Sequence, residues 1–328
     1  MPAPTSSELL VTAGNFSLDD TINPAGRASA APGGDALYSA VGAAIWRYPV
    51  AVVSRVGSDY PDDFMNHVAG LGIGIELIRA LPGPTVHYRI TNTESGERRY
   101  EHVTPAGRLH ELSPQGTDLD SIHRAGWVHV AAMPIDAQAA VISRCRQERV
   151  PYSLDPHEEY IVGHEQRLAE LIEGSFFMPS QLELELLFPD LSAERSSYAV
   201  ARVAANRLLA MGARAVAIKL GARGSFVADP TCQVAVPAVA TPAVDSTGAG
   251  DAFCGGFLAG YLRASSLLLG AVCGSVSAAQ VIRGAGALHS ELPAPDALRE
   301  HAAYLLGEVD AAAEGSALLQ AGFPWLTP

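Results

Sequence analysis

A carboxylate stands directly behind a glycine-rich turn in the segment from Asp245 to Leu258, which has the sequence DSTGAGDAFCGGFL. Gly248 and Gly250 allow the backbone to approach an anion closely, and the small and apolar residues after them predict a helix. The first turn of a helix has unpaired amides and the positive end of the helix dipole, and both attract phosphate. Asp251 would lie in that turn and accept a proton from a neighbouring hydroxyl group. The segment therefore predicts a phosphate site with a base beside it.

The same segment also has a purely structural interpretation. Asp and Ser are common residues before a helix, and Gly-Ala-Gly alone marks only a tight turn from a strand into a helix. The combination is more informative, because acids, hydroxyl residues and glycines occur in one run ahead of a helix that contains Gly255 and Gly256. We therefore interpret Gly248, Ala249 and Gly250 as an anion-binding turn.

Two stretches of the chain resemble the signatures of a known family. The segment that begins at Asp245 resembles the C-terminal signature of the PfkB, or ribokinase-like, carbohydrate kinases at each motif position. Gly33 and Gly34, followed by a strand that ends in Gly57-Ser-Asp59, are similar to the N-terminal signature. The chain departs from that signature at Tyr38, where asparagine is usual. The resemblance implies ATP and Mg²⁺ as cofactors and phosphoryl transfer to a hydroxyl group of a sugar or sugar-like polyol.

The resemblance also implies a fold, namely three layers (α/β/α) around a mostly parallel central sheet with a small antiparallel sheet as a lid. Alternation of strands and helices agrees, because it predicts parallel strands with helices on both faces. Residues 21–32 and 85–104 instead alternate polar and apolar residues, with a Ser-Gly turn at 95–96, and predict a small antiparallel sheet. The resemblance implies that this sheet is the lid, with strands within about 19–33 and 83–112. We predict one kinase domain over residues 1–314 and an appended tail over 315–328. The predicted strands of the central sheet lie at 9–13, 50–56, 127–131, 152–154, 175–178 and 215–220.

An acid and two glycines near the first strand form a candidate substrate site. Asp19 follows that strand, and ligands of parallel sheets bind at the carboxyl ends of strands. Gly33 and Gly34 precede a predicted helix, where bare backbone leaves room for hydroxyl groups. The residues alone equally allow a loop acid and an ordinary glycine turn. The resemblance implies that Asp19 binds sugar hydroxyls together with Gly33, Gly34 and Asp35.

Ser180 and Glu183 follow the predicted strand at 175–178 and are similar to the Asn-x-x-Glu element of the family, with serine in place of asparagine. The resemblance implies that Glu183 helps to hold Mg²⁺ through water and that Ser180 contacts the phosphates. The same two residues also describe a helix capping box. The two interpretations are compatible with each other.

Lys219, Gly221 and Gly224 end another predicted strand with a glycine turn. The resemblance implies that this turn is part of the nucleotide pocket. Lys219 would balance phosphate charge there, or it lies on the surface. Members of the family often bind a potassium ion beside the anion-binding turn, and Asp245 and Thr247 match the positions where that loop begins.

The composition limits the partners and the compartment. A net charge of −13 argues against nucleic acid or an anionic membrane as a partner, since both require a basic surface. The four cysteines form no Cys-x-x-Cys pair, and the N-terminus has neither a basic start nor an apolar core. The uncharged stretch at 264–282 contains serines, glutamine and glycines, which favours a buried helix over a membrane span. We expect a cytoplasmic protein.

Other functions remain open from the sequence. A nucleotide-binding dehydrogenase is disfavoured, because Gly14-Asn-Phe-Ser-Leu after the first strand lacks the Gly-x-Gly-x-x-Gly pattern. A nucleoside kinase of the same family and a sugar-binding regulatory protein with weak catalysis are the alternatives. Substitutions at Ser180 and Tyr38 support the second. The resemblance also implies a homodimer formed through the lid.

Overall fold

Two β-sheets form the framework of the protein, one with ten strands and one with four in the part of the chain that is described. The computed structural model describes residues 8–23, 26–92, 98–105, 107–194, 198–309 and 312–326. The strands, in chain order, are β1 (Leu10–Ala13), β2 (Ser17–Asn23), β3 (Gly26–Gly33), β4 (Val50–Gly57), β5 (Ile73–Gly74), β6 (Ile78–Leu81), β7 (Val86–Asn92), β8 (Arg98–His102), β9 (Trp127–Val130), β10 (Tyr152–Leu154), β11 (Phe176–Phe177), β12 (Ala215–Lys219), β13 (Ser225–Ala228) and β14 (Gln233–Val236).

The α-helices separate most of these strands along the chain. They are α1 (Asp35–Ile45), α2 (Asp62–Gly70), α3 (Gly107–Leu112), α4 (Ile135–Glu148), α5 (Glu165–Ile172), α6 (Gln181–Leu187), α7 (Tyr198–Ala210), α8 (Ala249–Ala264), α9 (Leu267–Val281), α10 (Pro295–Glu308) and α11 (Ala312–Ala321). Residues of α1, α8, α9 and α10 share one hydrophobic core, and those of α4, α5 and α7 share a second. The helices therefore form a layer on each face of the large sheet, as predicted.

The large sheet is mostly parallel and has the order β14-β13-β12-β11-β10-β9-β1-β4-β5, with β6 beside β4. The pairings from β12 through β5 are parallel, and among the described strands of this sheet only the pairings of β13 with β12 and with β14 are antiparallel. Because the chain turns to opposite sides of β1 to form β4 and β9, ligands are expected at the carboxyl ends of the strands near β1. The predicted fold class is confirmed.

The small sheet has the order β3-β2-β7-β8. Both outer pairings are antiparallel, as expected, while the central pairing of β2 with β7 is parallel. The predicted lid segment at 83–112 does not remain in the sheet throughout, because β8 ends at His102 and Gly107–Leu112 forms the helix α3. The predicted turn at Ser95-Gly96 lies outside the described residues.

Glycines allow α8 to pack unusually close to its neighbours. A Cβ atom on Gly255 would overlap the carbonyl oxygen of Ser39 in α1, and one on Gly256 would overlap the Ser277 hydroxyl group in α9. A Cβ atom on Gly42 of α1 would likewise overlap the backbone of α8. Because interiors are packed as densely as crystals, the position of α8 is determined by these contacts. The glycines after Asp251 therefore have a packing role.

The C-terminal segment is packed against the domain rather than appended to it. Phe323 and Leu326 are buried, and the rings of Phe323 and Trp46 lie 6.2 Å apart. The guanidinium group of Arg263 lies 5.0 Å from the ring centre of Trp325. Apolar side chains of this segment therefore cover the ends of α1 and α8, and the boundary between a domain over 1–314 and a tail over 315–328 stays a prediction.

The long uncharged stretch at 264–282 is a buried helix, α9. Its residues lie between α8 and α10 in the hydrophobic core. Among the helices of the described residues, none combines the length and the apolar character needed to cross a membrane.

We predict that Gly255→Ala lowers the free energy of unfolding by about 1–3 kcal/mol, because the added methyl group forces α8 away from α1. Gly307→Ala in α10 is the matched control, since its Cβ atom would meet no described atom within 4 Å. A gain of helix propensity should make the control neutral or slightly stabilising. Urea unfolding of the three proteins measures both effects. Equal stabilities for the two variants would contradict the proposed packing role.

Candidate active site

The glycine-rich turn lies at the N-terminus of α8, as predicted. Gly248 precedes the helix with φ +73°, in the left-handed region, and a Cβ atom there would overlap the ring of Tyr38. The amide of Ala249 donates to the carbonyl oxygen of Ser246 at 3.3 Å, so this donor already has a weak partner. Asp251 lies in the first turn of α8 and is half-buried. The turn and the acid are therefore adjacent at a helix end that favours anions.

Carboxylates from several elements converge on this helix end. Burial raises the pKa of Asp35, in the first turn of α1, well above its usual range, and nearby Asp251, Asp155 and Asp19 raise it further. These carboxylates come from the starts of α1 and α8, from strand β2 and from the end of β10. Since like charges at short range disfavour ionisation, the site stores repulsion that a cation or a proton would relieve.

Asp19 is buried on β2 with glycine packed against it. A Cβ atom on Gly33 would overlap its carboxylate oxygen Oδ2, and Gly34 has φ +106° with the backbone of Asn15 close by. Within the described residues, the other oxygen, Oδ1, has no hydrogen-bond partner. Burial raises the pKa of Asp19 to about 7, while a hydrogen bond with Ser17 opposes the shift. A buried carboxylate oxygen without a partner is expected to meet a ligand.

Lys219 forms a buried ion pair at the end of β12. Its ammonium nitrogen Nζ lies 2.6 Å from each carboxylate oxygen of Asp155, and both side chains are almost fully buried. Burial lowers the pKa of Lys219, but Asp155 and then Cys254 and Glu183 outweigh this and raise it well above its usual range. The same Nζ lies 3.5 Å from where a Cβ atom on Gly250 would be. A fixed positive charge therefore lies beside the anion-binding turn.

His129, Asp155 and Cys254 are also close together, with potential ligand atoms within 4.8 Å of one another. Lys219 already engages both oxygens of Asp155, so the cation in this group is the ammonium of the lysine. The imidazole of His129 has a pKa lowered to about 3 by burial and by Lys219. It is therefore neutral at neutral pH and adds no charge to the site.

Ser180 and Glu183 form the capping box that the spacing predicts. The hydroxyl oxygen of Ser180 accepts from the amide of Glu183 at 3.4 Å, and the Glu183 carboxylate accepts from the amide of Ser180. Burial raises the pKa of Glu183 to about 7, and Lys219 opposes the shift. The backbone of Lys219 pairs with this segment. The box therefore places Glu183 beside the Lys219–Asp155 ion pair, and the interpretation as a helix cap is confirmed.

The two glycines after Lys219 have different surroundings. Gly224 has φ +91°, and a Cβ atom there would overlap the carbonyl of Val236 in β14. Gly221 has φ +59°, and none of the described atoms would lie within 4 Å of its Cβ atom. Gly224 is therefore required by the turn between β12 and β13, while Gly221 borders open space at the carboxyl end of the sheet.

Asp245 and Thr247 organise the loop ahead of the anion-binding turn. The Asp245 oxygen Oδ1 accepts from the amide of Thr247 at 3.0 Å and from its hydroxyl group at 2.8 Å. The amide of Asp245 donates to the carbonyl of Ile282 at 3.2 Å. These bonds fix the entry into α8, and the potassium ion stays a prediction.

Asp155 is the site residue that the sequence interpretation missed. The sequence did contain a signal for it, because Asp155 comes directly after the buried strand β10. Asp19 was chosen on the same ground, although it lies farther from the end of the first strand. The carboxyl ends of parallel strands meet at one edge of a sheet, so such an acid is placed for a ligand or a cation. Its pairing with Lys219, 64 residues away, depends on strands β10, β11 and β12 lying side by side.

Fold and site together define an α/β phosphotransferase that acts on an alcohol group. The family model of pfkB family carbohydrate kinases matches residues 8–295. The chain therefore belongs to the pfkB family of carbohydrate kinases, and the predicted membership is confirmed.

Named relatives include kinases of two acceptor classes. The cytidine kinase of Thermococcus kodakarensis is 31% identical over 268 residues, which cover 79% of this chain and 90% of the relative. A protein described as an uncharacterized sugar kinase, from Archaeoglobus fulgidus, is 32% identical over 250 residues, or 72% of this chain and 92% of the relative. The family is thus established by similarity, while the acceptor is not.

Solved structures of the same fold include complexes with nucleotide and nucleoside. Ribokinase II of E. coli in complex with ATP and Mg²⁺ has a TM-score of 0.72 at 18% identity, covering 90% of this chain and 98% of that one. The nucleoside kinase of Burkholderia thailandensis in complex with inosine has a TM-score of 0.70 at 18% identity, covering 91% and 99%. At these identities the similarity establishes the fold.

We predict that Asp19→Asn becomes more stable relative to the native chain as pH rises from about 4 to about 7. The pKa of the native carboxyl is raised from 3.8 to about 7. The folded state therefore binds more protons than the unfolded state in this window, and ionisation of Asp19 costs stability as pH rises. Urea unfolding at several pH values, without ligands, measures the difference. The titration of all other groups contributes equally to both proteins and cancels in the difference. A stability difference that does not depend on pH would therefore contradict the buried position of Asp19.

Proposed function

We propose that the protein transfers the γ-phosphoryl group of ATP to a hydroxyl group of a sugar or of a nucleoside, with Asp251 as the base. The observation that carries this proposal is the placement of Asp251 in the first turn of α8, beside the left-handed turn at Gly248. A helix end of this kind accommodates a phosphoryl group, and an acid in the same turn can accept the proton of an attacking hydroxyl. The kinase names of the relatives support the reaction type.

The acceptor is held at the other end of the site. Asp19 binds its hydroxyl groups through the carboxylate oxygen that has no hydrogen-bond partner among the described residues, and Gly33 and Gly34 leave room beside it. Asp35 adds a second carboxylate for hydroxyl groups. This arrangement orients one remaining hydroxyl toward Asp251. Phosphoryl transfer has a loose transition state, so orientation and charge balance contribute more than the strength of the base.

The amides of Gly248, Ala249 and Gly250 stabilise the charge on the transferring group. The amide of Ala249 exchanges its long bond to Ser246 for a bond to the phosphoryl oxygen. Lys219 supplies a full positive charge on the other side of Gly250, and Asp155 holds that charge in place. Fixed donors and charges of this kind stabilise a transition state without the cost of reorganising solvent.

Mg²⁺ fits the donor set of the site. Oxygen ligands suit this hard cation. The site contains several carboxylates and one lysine, so it has an excess of negative charge that a cation would balance. Glu183 would hold the ion through water, since the capping box already engages its carboxylate, and Ser180 would contact the phosphates. When bound, the ion neutralises charge on the phosphates of ATP. Gly221 and Gly224 border the nucleotide at the end of β12.

Several finer expectations stay predictions. They are a potassium ion at Asp245 and Thr247, a cytoplasmic location and a homodimer formed through the lid. Strands β3 and β8 are the outer strands of the small sheet and would supply the edges of such a contact. A sugar-binding protein with weak catalysis is less well supported, because Asp251 and the complete turn are present.

We predict that Asp251→Asn lowers kcat by at least about a hundred-fold while the affinity for ATP changes little, because only the proton acceptor is lost. An assay of ADP release, with ATP binding measured by calorimetry, tests this. Asp63→Asn is the matched control, since Asp63 is an exposed acid in the first turn of α2. Near-normal turnover of Asp251→Asn would reject the assignment of the base.

We predict that Lys219→Met lowers the free energy of unfolding by about 3–5 kcal/mol, because it leaves the Asp155 carboxylate buried and unpaired. The double variant Lys219→Met with Asp155→Asn should recover much of that stability, since the buried charge is gone. Its kcat should nevertheless stay at least about ten-fold below that of the native chain, because the cation beside Gly250 is missing. Denaturant unfolding and ADP release measure the two properties. Full activity in the double variant would show that the ion pair has only a structural role.

A further inference from the structure

A row of polar and aromatic side chains crosses one face of the small sheet. Asp19 on β2 is the register partner of Tyr88 on β7, and Tyr88 is the partner of His102 on β8. Register partners project from the same face of a sheet, and neighbouring strands are about 4.8 Å apart. Tyr88 therefore lies about one strand spacing from the proposed acceptor site at Asp19, and His102 lies about two.

The two rings of this row are in contact with each other and remain accessible. The ring centres of Tyr88 and His102 are 4.8 Å apart, with the ring planes at 53°. Tyr88 is half-buried and His102 is exposed. Burial raises the pKa of Tyr88, and the carboxylates of Asp35 and Asp19 raise it further. The tyrosine hydroxyl therefore remains neutral at neutral pH.

A second pair of rings comes from the segment that follows Asp155. The ring centres of His157 and Tyr160 are 5.3 Å apart with the planes at 65°, and both side chains are half-buried. The ring centres of Tyr160 and of His110 in α3 are 6.4 Å apart, with the planes at 86°. This segment starts at the carboxyl end of β10, so it leaves the sheet at the proposed active site.

Helix α3 connects the two pairs of rings. Tyr88 packs against a hydrophobic cluster that contains Leu109 and Leu112 of α3. His110 of the same helix is in ring contact with Tyr160. The electrostatics agree, because Tyr160 is among the groups that raise the pKa of Tyr88. The two pairs therefore lie near each other, on either side of α3. We call Tyr88, His102, His157 and Tyr160 the ring cleft.

We propose that the ring cleft binds the planar base of a nucleoside whose sugar hydroxyls are held at Asp19, so that the acceptor is a nucleoside rather than a free sugar. This inference rests on the proposed phosphotransfer to an alcohol. Four rings next to the sugar subsite match the flat faces of a base, which stack favourably on aromatic side chains. A free pentose has no planar ring and would leave most of this aromatic surface uncovered.

Hydrogen bonding in the ring cleft also suits a base. The amide of Glu159 donates to Nδ1 of His157 at 3.2 Å. The neutral imidazole consequently carries its proton on Nε2 and offers a donor of the kind that a base carbonyl accepts. The cytidine kinase among the relatives agrees with this acceptor class.

Rates of ADP release from the full chain, with ATP and Mg²⁺, test the inference on cytidine, inosine and ribose. We expect kcat/KM for at least one of the nucleosides to exceed that for ribose about ten-fold or more, as base stacking would give. In Tyr160→Ala and in His102→Ala this ratio should fall about ten-fold, mainly through the KM of the nucleoside, while Tyr160→Phe should preserve it. Tyr304→Ala is the matched control, because Tyr304 is 61% exposed on α10. His102→Ala keeps the test decisive if Tyr160→Ala folds poorly, since His102 is exposed.

Failure of this inference can be distinguished from failure of the proposed function. Ribose accepted as well as the nucleosides, or ratios unchanged in both ring variants, would overturn the inference and leave the phosphotransfer intact. If no acceptor released ADP, calorimetry with cytidine and inosine would decide. If the native chain bound a nucleoside and His102→Ala weakened that binding, the ring cleft would be supported and the proposed catalysis rejected. If no nucleoside bound, both the inference and the proposed catalysis would be overturned.

Discussion

Electrostatic repulsion among buried and half-buried carboxylates is the constraint on which the candidate active site depends. Asp19, Asp35, Asp155, Glu183 and Asp251 converge on the start of α8, and Lys219, which pairs with Asp155, is the positive charge beside them in the described part of the chain. Such a cluster is unfavourable in an empty protein, because burial and like charges both oppose ionisation. In the proposed function, a divalent cation and hydroxyl groups engage the oxygens and relieve this repulsion. The stability of the site is therefore coupled to its ligands.

The rigid part of the site is α8, and its rigidity comes from residues that have no chemistry of their own. Gly255 and Gly256 allow α1 and α9 to approach α8 so closely that their atoms would overlap a Cβ atom. Tyr38 packs against Gly248 in the same way, at the turn itself. The ring of Tyr38 therefore supports the anion-binding turn. Precise placement matters because phosphoryl transfer depends mainly on orientation.

In the proposed function, the small sheet connects the site of the acceptor hydroxyls with the specificity of the enzyme. Parallel pairing of β2 with β7 brings Asp19 and Tyr88 into register, and the antiparallel pairing with β8 adds His102 to the same face. A shift of register by one residue would turn all of these side chains to the other face. Lid pairing therefore decides which groups an acceptor meets beyond its hydroxyls. The other two rings of the ring cleft, His157 and Tyr160, belong to the segment that leaves β10 after Asp155.

The sequence by itself determined the fold class, the family and the local geometry of each motif. Gly248 to Asp251 form a turn and a helix start as predicted, and Ser180 with Glu183 forms the predicted capping box, because these features depend on residues within one turn of each other. The alternation of strands and helices was sufficient to predict the layered architecture, because the spacing of apolar residues in each segment reflects its local conformation.

Only the tertiary structure decided which distant residues meet. Asp155 joins Lys219, and Tyr88 joins His102, through pairings of strands that local patterns do not encode. The C-terminal segment looked like an appended tail because its few apolar residues have no periodic partner nearby, yet Phe323 packs on Trp46 far back in the chain. Contacts of this kind depend on the shape of the whole core, and no short window of sequence contains that information.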